Sequence, residues 1–305
     1  MFITVFSQVC VLMILILLGF AASKTGLLTE AGSKCCSDIV MYLVTPCVII
    51  KSLMMPYNTE LLKTLLICFG FSLLLQVIMI LLSLLLLRSP DSRRERVLRF
   101  GAVFTNCGFM SLPLQEAILG DEGVRYGSAY IIIFQLLIWS WGVMLMSGGR
   151  GKISLPKLVI NPGMIGLAIG LIIFLFSLPM PQTVSSAIGH MAALNTPVPM
   201  LVIGHYLAHS DVRKALKDLP CLWAVFLRMF LFPFLLLGLL YLLQVRGTML
   251  VSLVISISAP TAAITTMFSV KYENDTACSV NLISLSTLVS LLSMPLLITV
   301  ARLLA

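Results

Sequence analysis

The sequence predicts an all-α polytopic membrane protein with ten transmembrane helices, arranged as two inverted five-helix repeats. Three observations carry this reading. Of the 305 residues, 59% are hydrophobic and only 10% are charged, against about 25% charged in a soluble globular chain. Apolar runs recur along the whole length, for a mean hydropathy of +1.08. Basic residues gather in alternate loops between those runs. Ten crossings of about 20 to 25 residues use about 200 to 250 residues, which leaves short loops and no separate soluble domain. The net charge of +8 is then a property of cytoplasmic loops rather than a sign of nucleic-acid binding.

Taken in order, the expected spans are Phe2 to Ala22, Cys36 to Met55, Leu61 to Leu87, Val97 to Leu119 and Val124 to Met146 in the first half. The second half gives 161 to Leu178, Val184 to Ala208, Leu219 to Leu243, Met249 to Val270 and Ala277 to Leu303. Residues 1–147 form the first repeat, 148–160 a cytoplasmic linker and 161–305 the second repeat. The first apolar run lacks a basic leader and a small-residue cleavage site, so a retained span is expected. Asn161-Pro162 places a proline in the first turn of the sixth span, where a helix tolerates it.

Loops that follow odd-numbered spans hold 14 of the 20 Lys and Arg residues, the densest being Arg88, Arg93, Arg94, Arg96 and Arg99. The positive-inside rule puts these loops in the cytoplasm and both termini outside. The linker run Gly149-Arg150-Gly151-Lys152 lacks the spacing and the Ser/Thr of a phosphate loop, so nucleotide binding is not expected. The eight cysteines show no metal-finger or redox spacing and read as small apolar residues. No metal or cofactor is expected.

The halves echo one another. Leu43-Val44-Thr45-Pro46 matches Leu194-Asn195-Thr196-Pro197 at an offset of 151, and Ser111-Leu112-Pro113 matches Ser258-Ala259-Pro260 at an offset of 147. With five spans per half, the two copies must lie in opposite orientation. Interrupted helices at corresponding positions of inverted repeats point to a transporter's binding site. The stretch 106–120 carries Asn106, Gly108, Ser111, Pro113, Gln115 and Glu116 inside a membrane span. Irregular backbone at that depth is tolerated only where protein buries it or where it lines a cavity.

The same stretch carries a resemblance. Asn106, Met110, Pro113-Leu114, Ala117 and Gly120 resemble the pattern of the auxin efflux carrier family, with Ser111 in place of the usual glycine. Asn161-Pro162, Gly204, Pro260, Phe268, Lys271-Tyr272 and the run from Thr287 to Pro295 extend the likeness over nearly the whole chain. The chain lacks the long central loop of plant members and is similar to the short prokaryotic type. The resemblance implies a fold like that of bile acid symporters and sodium/proton antiporters. Spans 1, 2, 6 and 7 would form a scaffold that pairs into a homodimer. Spans 3 to 5 and 8 to 10 would form a transport domain that moves like an elevator, with spans 4 and 9 crossing.

Where a helix breaks, its free amide groups carry partial positive charge and attract anions. Asn106 can donate to a carboxylate and accept from a neighbour. The candidate substrate-binding residues are therefore Asn106, Gly108 and Pro113 on the fourth span, and Ser258, Pro260 and Thr261 on the ninth. Thr45 and Pro46, with Thr196 and Pro197, would face them from the scaffold. Pro113 and Pro260 are expected to set the two breaks. Gln135 and Asn281 are expected behind the crossing. Glu116, the only acid well inside a span, is a candidate for proton or cation coupling, although its place close to Gly120 also fits a solvated interface. Arg228 should snorkel or find a partner, and His190 and His205 flank the prolines of the seventh span.

These residues point to a secondary or facilitative transporter of small organic anions, such as carboxylates or auxin-like acids, in the bilayer of a bacterial inner membrane. A sodium- or proton-coupled symporter of the bile acid type is one alternative, and a receptor or sensor built on a transporter fold is another. An intramembrane enzyme would need paired acids, a His/Glu metal motif or a Ser/Lys dyad inside the spans, and the sequence shows none of these.

Overall fold

The computed structural model describes residues 2–149, 162–209 and 215–305. Asn161, Arg150, Lys152, Lys157, Arg213 and Lys214, and with them nearly all of the expected linker, lie outside the described residues.

The regular elements among the described residues are all helices. Helix α1 (Phe2–Lys24) is followed by α2 (Glu30–Ile39), a π turn (Val40–Val44) and α3 (Thr45–Leu53). Next come α4 (Thr59–Leu86), α5 (Ser92–Val103), a π turn (Cys107–Ser111), α6 (Leu112–Leu137), a π turn (Ile138–Gly142) and α7 (Val143–Met146). The second half holds α8 (Pro162–Leu175), α9 (Gln182–Ala193), α10 (Pro197–Ala208), α11 (Leu219–Phe226), a π turn (Leu227–Leu231) and α12 (Phe232–Leu242). It ends with α13 (Gly247–Ser258), α14 (Ile264–Lys271) and α15 (Thr276–Leu304). Seven helical stretches are long and apolar enough to cross a membrane, and α8 and α13 are shorter apolar helices.

Helix starts follow from capping chemistry. Asn58, Asp91, Asp218 and Asp275 accept main-chain N–H bonds at the first turns of α4, α5, α11 and α15, which satisfies donors that a helix leaves free. Three prolines, Pro46, Pro113 and Pro233, each sit in the first turn of an α segment that follows a π turn. The widened turn leaves room for a proline ring and removes the need for its missing N–H, so these helices continue through the proline. Pro113 therefore does not set the break expected there. The interruption lies before it, over 104–106.

Gly120 has φ 64° and ψ −155°, a conformation open essentially to glycine alone. It interrupts the apolar run Cys107–Met146 where the sequence places the boundary between two spans.

Small residues let helices approach closely, as in membranes generally. A Cβ on Gly204 of α10 would lie 2.1 Å from the Ile16 carbonyl oxygen of α1, and one on Gly19 of α1 would lie 2.3 Å from that of Leu201. A Cβ on Gly166 of α8 would lie 2.8 Å from Pro46 Cα on α3. Thus α1 packs on α10 and α3 on α8.

Candidate functional site

Helix α5 ends at Val103, and Phe104 is extended at φ −85°, ψ 110°. Helix α13 ends at Ser258, and Ala259 is extended at φ −62°, ψ 150°. The two freed stretches meet as a short antiparallel pair centred on Thr105 and Thr261. The Asn106 N–H donates to the Pro260 carbonyl at 2.7 Å, and the Ala262 N–H donates to the Phe104 carbonyl at 2.9 Å. Each interrupted helix thus satisfies part of the other's backbone, as a break inside lipid requires. The Thr261 hydroxyl donates to the Gly101 carbonyl at 3.0 Å, and Ser286 accepts from the Thr261 N–H at 3.1 Å. Ser111 Oγ donates to Ile255 O at 3.2 Å, and Gln115 Nε2 donates to Ser252 O at 3.0 Å and Ser256 Oγ at 2.9 Å.

Beyond the crossing, each chain turns helical again, at Cys107 and at Ile264. Both new helix starts line one pocket of about 650 Å³ including its mouth. Thr105, Asn106, Cys107 and Gly108 contribute from one side, and Ala262, Ala263 and Ile264 from the other. Ser37, Thr45, Gln135 and Tyr206 complete the polar lining, which contains no carboxylate and no basic side chain among the described residues. Two polar atoms in this wall, Thr105 Oγ1 and Gln135 Oε1, are buried without a hydrogen-bond partner. Free helix N-termini concentrate partial positive charge, so the pocket offers an anion main-chain N–H groups and an asparagine amide. A larger pocket of about 1230 Å³ shares Ser37, Met41, Tyr206, Ile264 and Met267 with it and reaches Lys34 and Lys271.

The structure brings Thr45, Asn106 and Gly108 to this pocket. Thr45 Oγ1 is engaged with the Val40 carbonyl at 2.9 Å. Pro260 contributes its carbonyl to the crossing rather than a wall. The Ser258 hydroxyl bonds back to Ile255 O at 3.2 Å within its own helix, as such hydroxyls often do. Pro46 packs on Gly166. Neither it nor Pro113, Thr196 or Pro197 lines the pocket. In place of Thr196, its neighbour Asn195 reaches the site: Asn195 Nδ2 donates to the Gly108 carbonyl at 3.0 Å.

Glu116 lies in a separate pocket of about 660 Å³, with Lys51, Asp121, Arg125 and Asn195. Its carboxylate is 3.4 Å from Lys51 Nζ, and both side chains are about half exposed, at 55% and 46%. His190 is exposed, whereas His205 is buried with Nδ1 3.0 Å from Ser23 Oγ. Gln135 faces the pocket instead of lying behind the crossing.

Arg228 is the residue whose place the sequence did not indicate. It is 1% exposed, and Nη2 donates to the carbonyls of Ile257, at 2.8 Å, and of Ala259, at the end of α13. An ionisable residue inside a membrane span is a functional candidate by default, and that was the available signal. Its target could not be read, because carbonyls freed by a break leave no mark in sequence.

The profile of the family described as "Membrane transport protein" matches residues 4–156 and 150–298. An uncharacterized transporter of Methanothermobacter thermautotrophicus is 26% identical over 289 residues, which cover 93% of this chain and 94% of the relative. An uncharacterized transporter of Methanocaldococcus jannaschii is 24% identical over 297 residues, with the same coverage of each chain.

Proposed function

The chain belongs to the membrane transport protein family, the family to which the resemblance with auxin efflux carriers points, and from that premise we propose that it carries small organic anions through the crossing of its two broken helices. The observation that carries this reading is one pocket lined by two helix starts, Cys107 and Ile264, with Asn106 beside them and no acid in its wall. A carboxylate there would accept from main-chain N–H groups and from the Asn106 amide. Preorganised dipoles of this kind hold an anion without a neutralising lysine or arginine in contact.

The ten-span reading with inverted repeats assigns α5 to the first half of span 4 and α13 to the first half of span 9. In that frame, α1, α2–α3, α8 and α9–α10 form the scaffold, and the remaining helices form the moving domain. The close glycine contacts of α1 with α10 and of α3 with α8 support the scaffold. With Lys34 and Lys271 on the cytoplasmic side by the positive-inside rule, the larger adjoining pocket is the cytoplasmic entry. Lys51–Glu116 and Asn195–Gly108 then join scaffold to moving domain on the outer side, as an inward-open resting state requires.

No nucleotide site is read in the chain, so transport is driven by gradients or by exchange. Glu116, placed away from the crossing pocket and paired with Lys51, does not contact the ligand in this reading. The test is a thermal-shift screen of organic acids on purified protein, because a ligand that binds only the native state raises its melting temperature. Carboxylates that stabilise the wild type and fail to stabilise Asn106→Ala support the reading. Equal stabilisation of both proteins rejects it.

A further inference from the structure

The crossing carries a charge that its architecture does not require. Arg228 sits on the π turn Leu227–Leu231 and is the largest of the fully buried side chains among the described residues. Its Nη2 holds the carbonyls of Ile257 and Ala259, its Nη1 lies 3.7 Å from Met79 Sδ, and its Nε is buried without a partner. Among the described residues the ion pairs are Lys51–Glu116, Lys63–Glu60, Arg94–Asp218 and Arg99–Glu95, and none involves Arg228.

Capping alone does not explain a cation here. The equivalent end of α5 is capped by neutral donors, the Thr261 hydroxyl on Gly101 O and the Ala262 N–H on Phe104 O. An arginine stays ionised where a lysine could shed its proton. The carbonyl end of a helix offsets only about half a unit of positive charge, so a net positive charge remains. It is held against Ala259, next to Pro260, whose carbonyl holds Asn106.

Resting on the anion reading of this pocket, we propose that Arg228 is the fixed counter-charge that sets its selectivity: it makes the site take monoanionic carboxylates in preference to neutral isosteres of the same shape. It acts through the field and through the strand pair it braces, not by touching the ligand. The residual positive charge, about half a unit, favours an anion over a neutral molecule of the same shape.

The test compares phenylacetate with phenylacetamide as probes, with affinities read from ligand-dependent melting of the purified full chain. The wild type should prefer the acid by roughly tenfold or more, the scale of one unit charge acting across a partly screened interior. Arg228→Gln removes the charge. Met79→Glu keeps the arginine and its carbonyl contacts but places a carboxylate beside Nη1, with Met79→Gln as its control for polarity and size. The preference should collapse in Arg228→Gln and Met79→Glu and survive in Met79→Gln. If Arg228→Gln does not fold, Met79→Glu decides. An undiminished preference for the acid in Met79→Glu or in folded Arg228→Gln overturns the role of Arg228 and leaves the anion site standing. A wild type stabilised by no carboxylate overturns the anion reading itself.

Discussion

The main-chain N–H of Asn106 donates to the carbonyl of Pro260 at 2.7 Å. This bond joins two interrupted helices at a point where neither has a helical partner to offer. It also divides the work of Asn106: the backbone braces the crossing, and the side chain is left for the pocket, since it makes no cap to its own helix.

That division predicts the behaviour of Asn106→Ala. The backbone bond survives, so the melting temperature should stay within a few degrees of wild type. Affinity for a carboxylate should fall by about tenfold to a hundredfold, the scale of a lost hydrogen bond to a charged group. Titration of phenylacetate by calorimetry checks this.

Gln135 gives a prediction of opposite sign for stability. Its Oε1 is buried in the pocket wall without a partner. Replacing a buried unsatisfied amide by an apolar group of similar shape is neutral or stabilising. Gln135→Leu should keep or raise the melting temperature without weakening carboxylate binding, since an amide oxygen has no proton to offer a carboxylate. Denaturation and binding measured on one preparation check both.

The α1–α10 contact predicts a structural defect. A side chain on Gly204 has no space between the Ile16 carbonyl and the Phe20 amide, at 2.1 Å and 2.5 Å from a Cβ. Gly204→Leu must force the backbones apart and should cost at least about 1 to 3 kcal/mol, read as lower folded yield and earlier melting in detergent.

The Lys51–Glu116 pair predicts a small effect. Both partners are about half exposed, so solvent screening holds the pair's worth to about 1 kcal/mol or less. Glu116→Gln should leave the melting temperature and carboxylate affinity nearly unchanged. A large loss of affinity would place this acid in the site.

Much of the crossing was legible in the sequence because the chemistry there is local. An asparagine inside one apolar run and Ala259-Pro260 inside the other stand at the two breaks. Pro113 misled because a proline and its hydrogen-bond deficit can be absorbed by a π turn, which depends on packing rather than composition. Thr196 was chosen by its echo of Thr45, yet the contact to Gly108 comes from Asn195, since an approximate repeat does not fix which side of a helix faces a partner. Gln135 and Arg228 depend on what lies across the bundle, and a single sequence holds no record of long-range neighbours.

The most direct measurement is exchange in proteoliposomes. Vesicles containing the purified protein and loaded with an unlabelled monocarboxylate are given the labelled acid outside. The crossing-site reading predicts labelled acid accumulating by exchange with the wild type and falling to the level of protein-free vesicles with Asn106→Ala. Exchange at the wild-type rate through Asn106→Ala would contradict it.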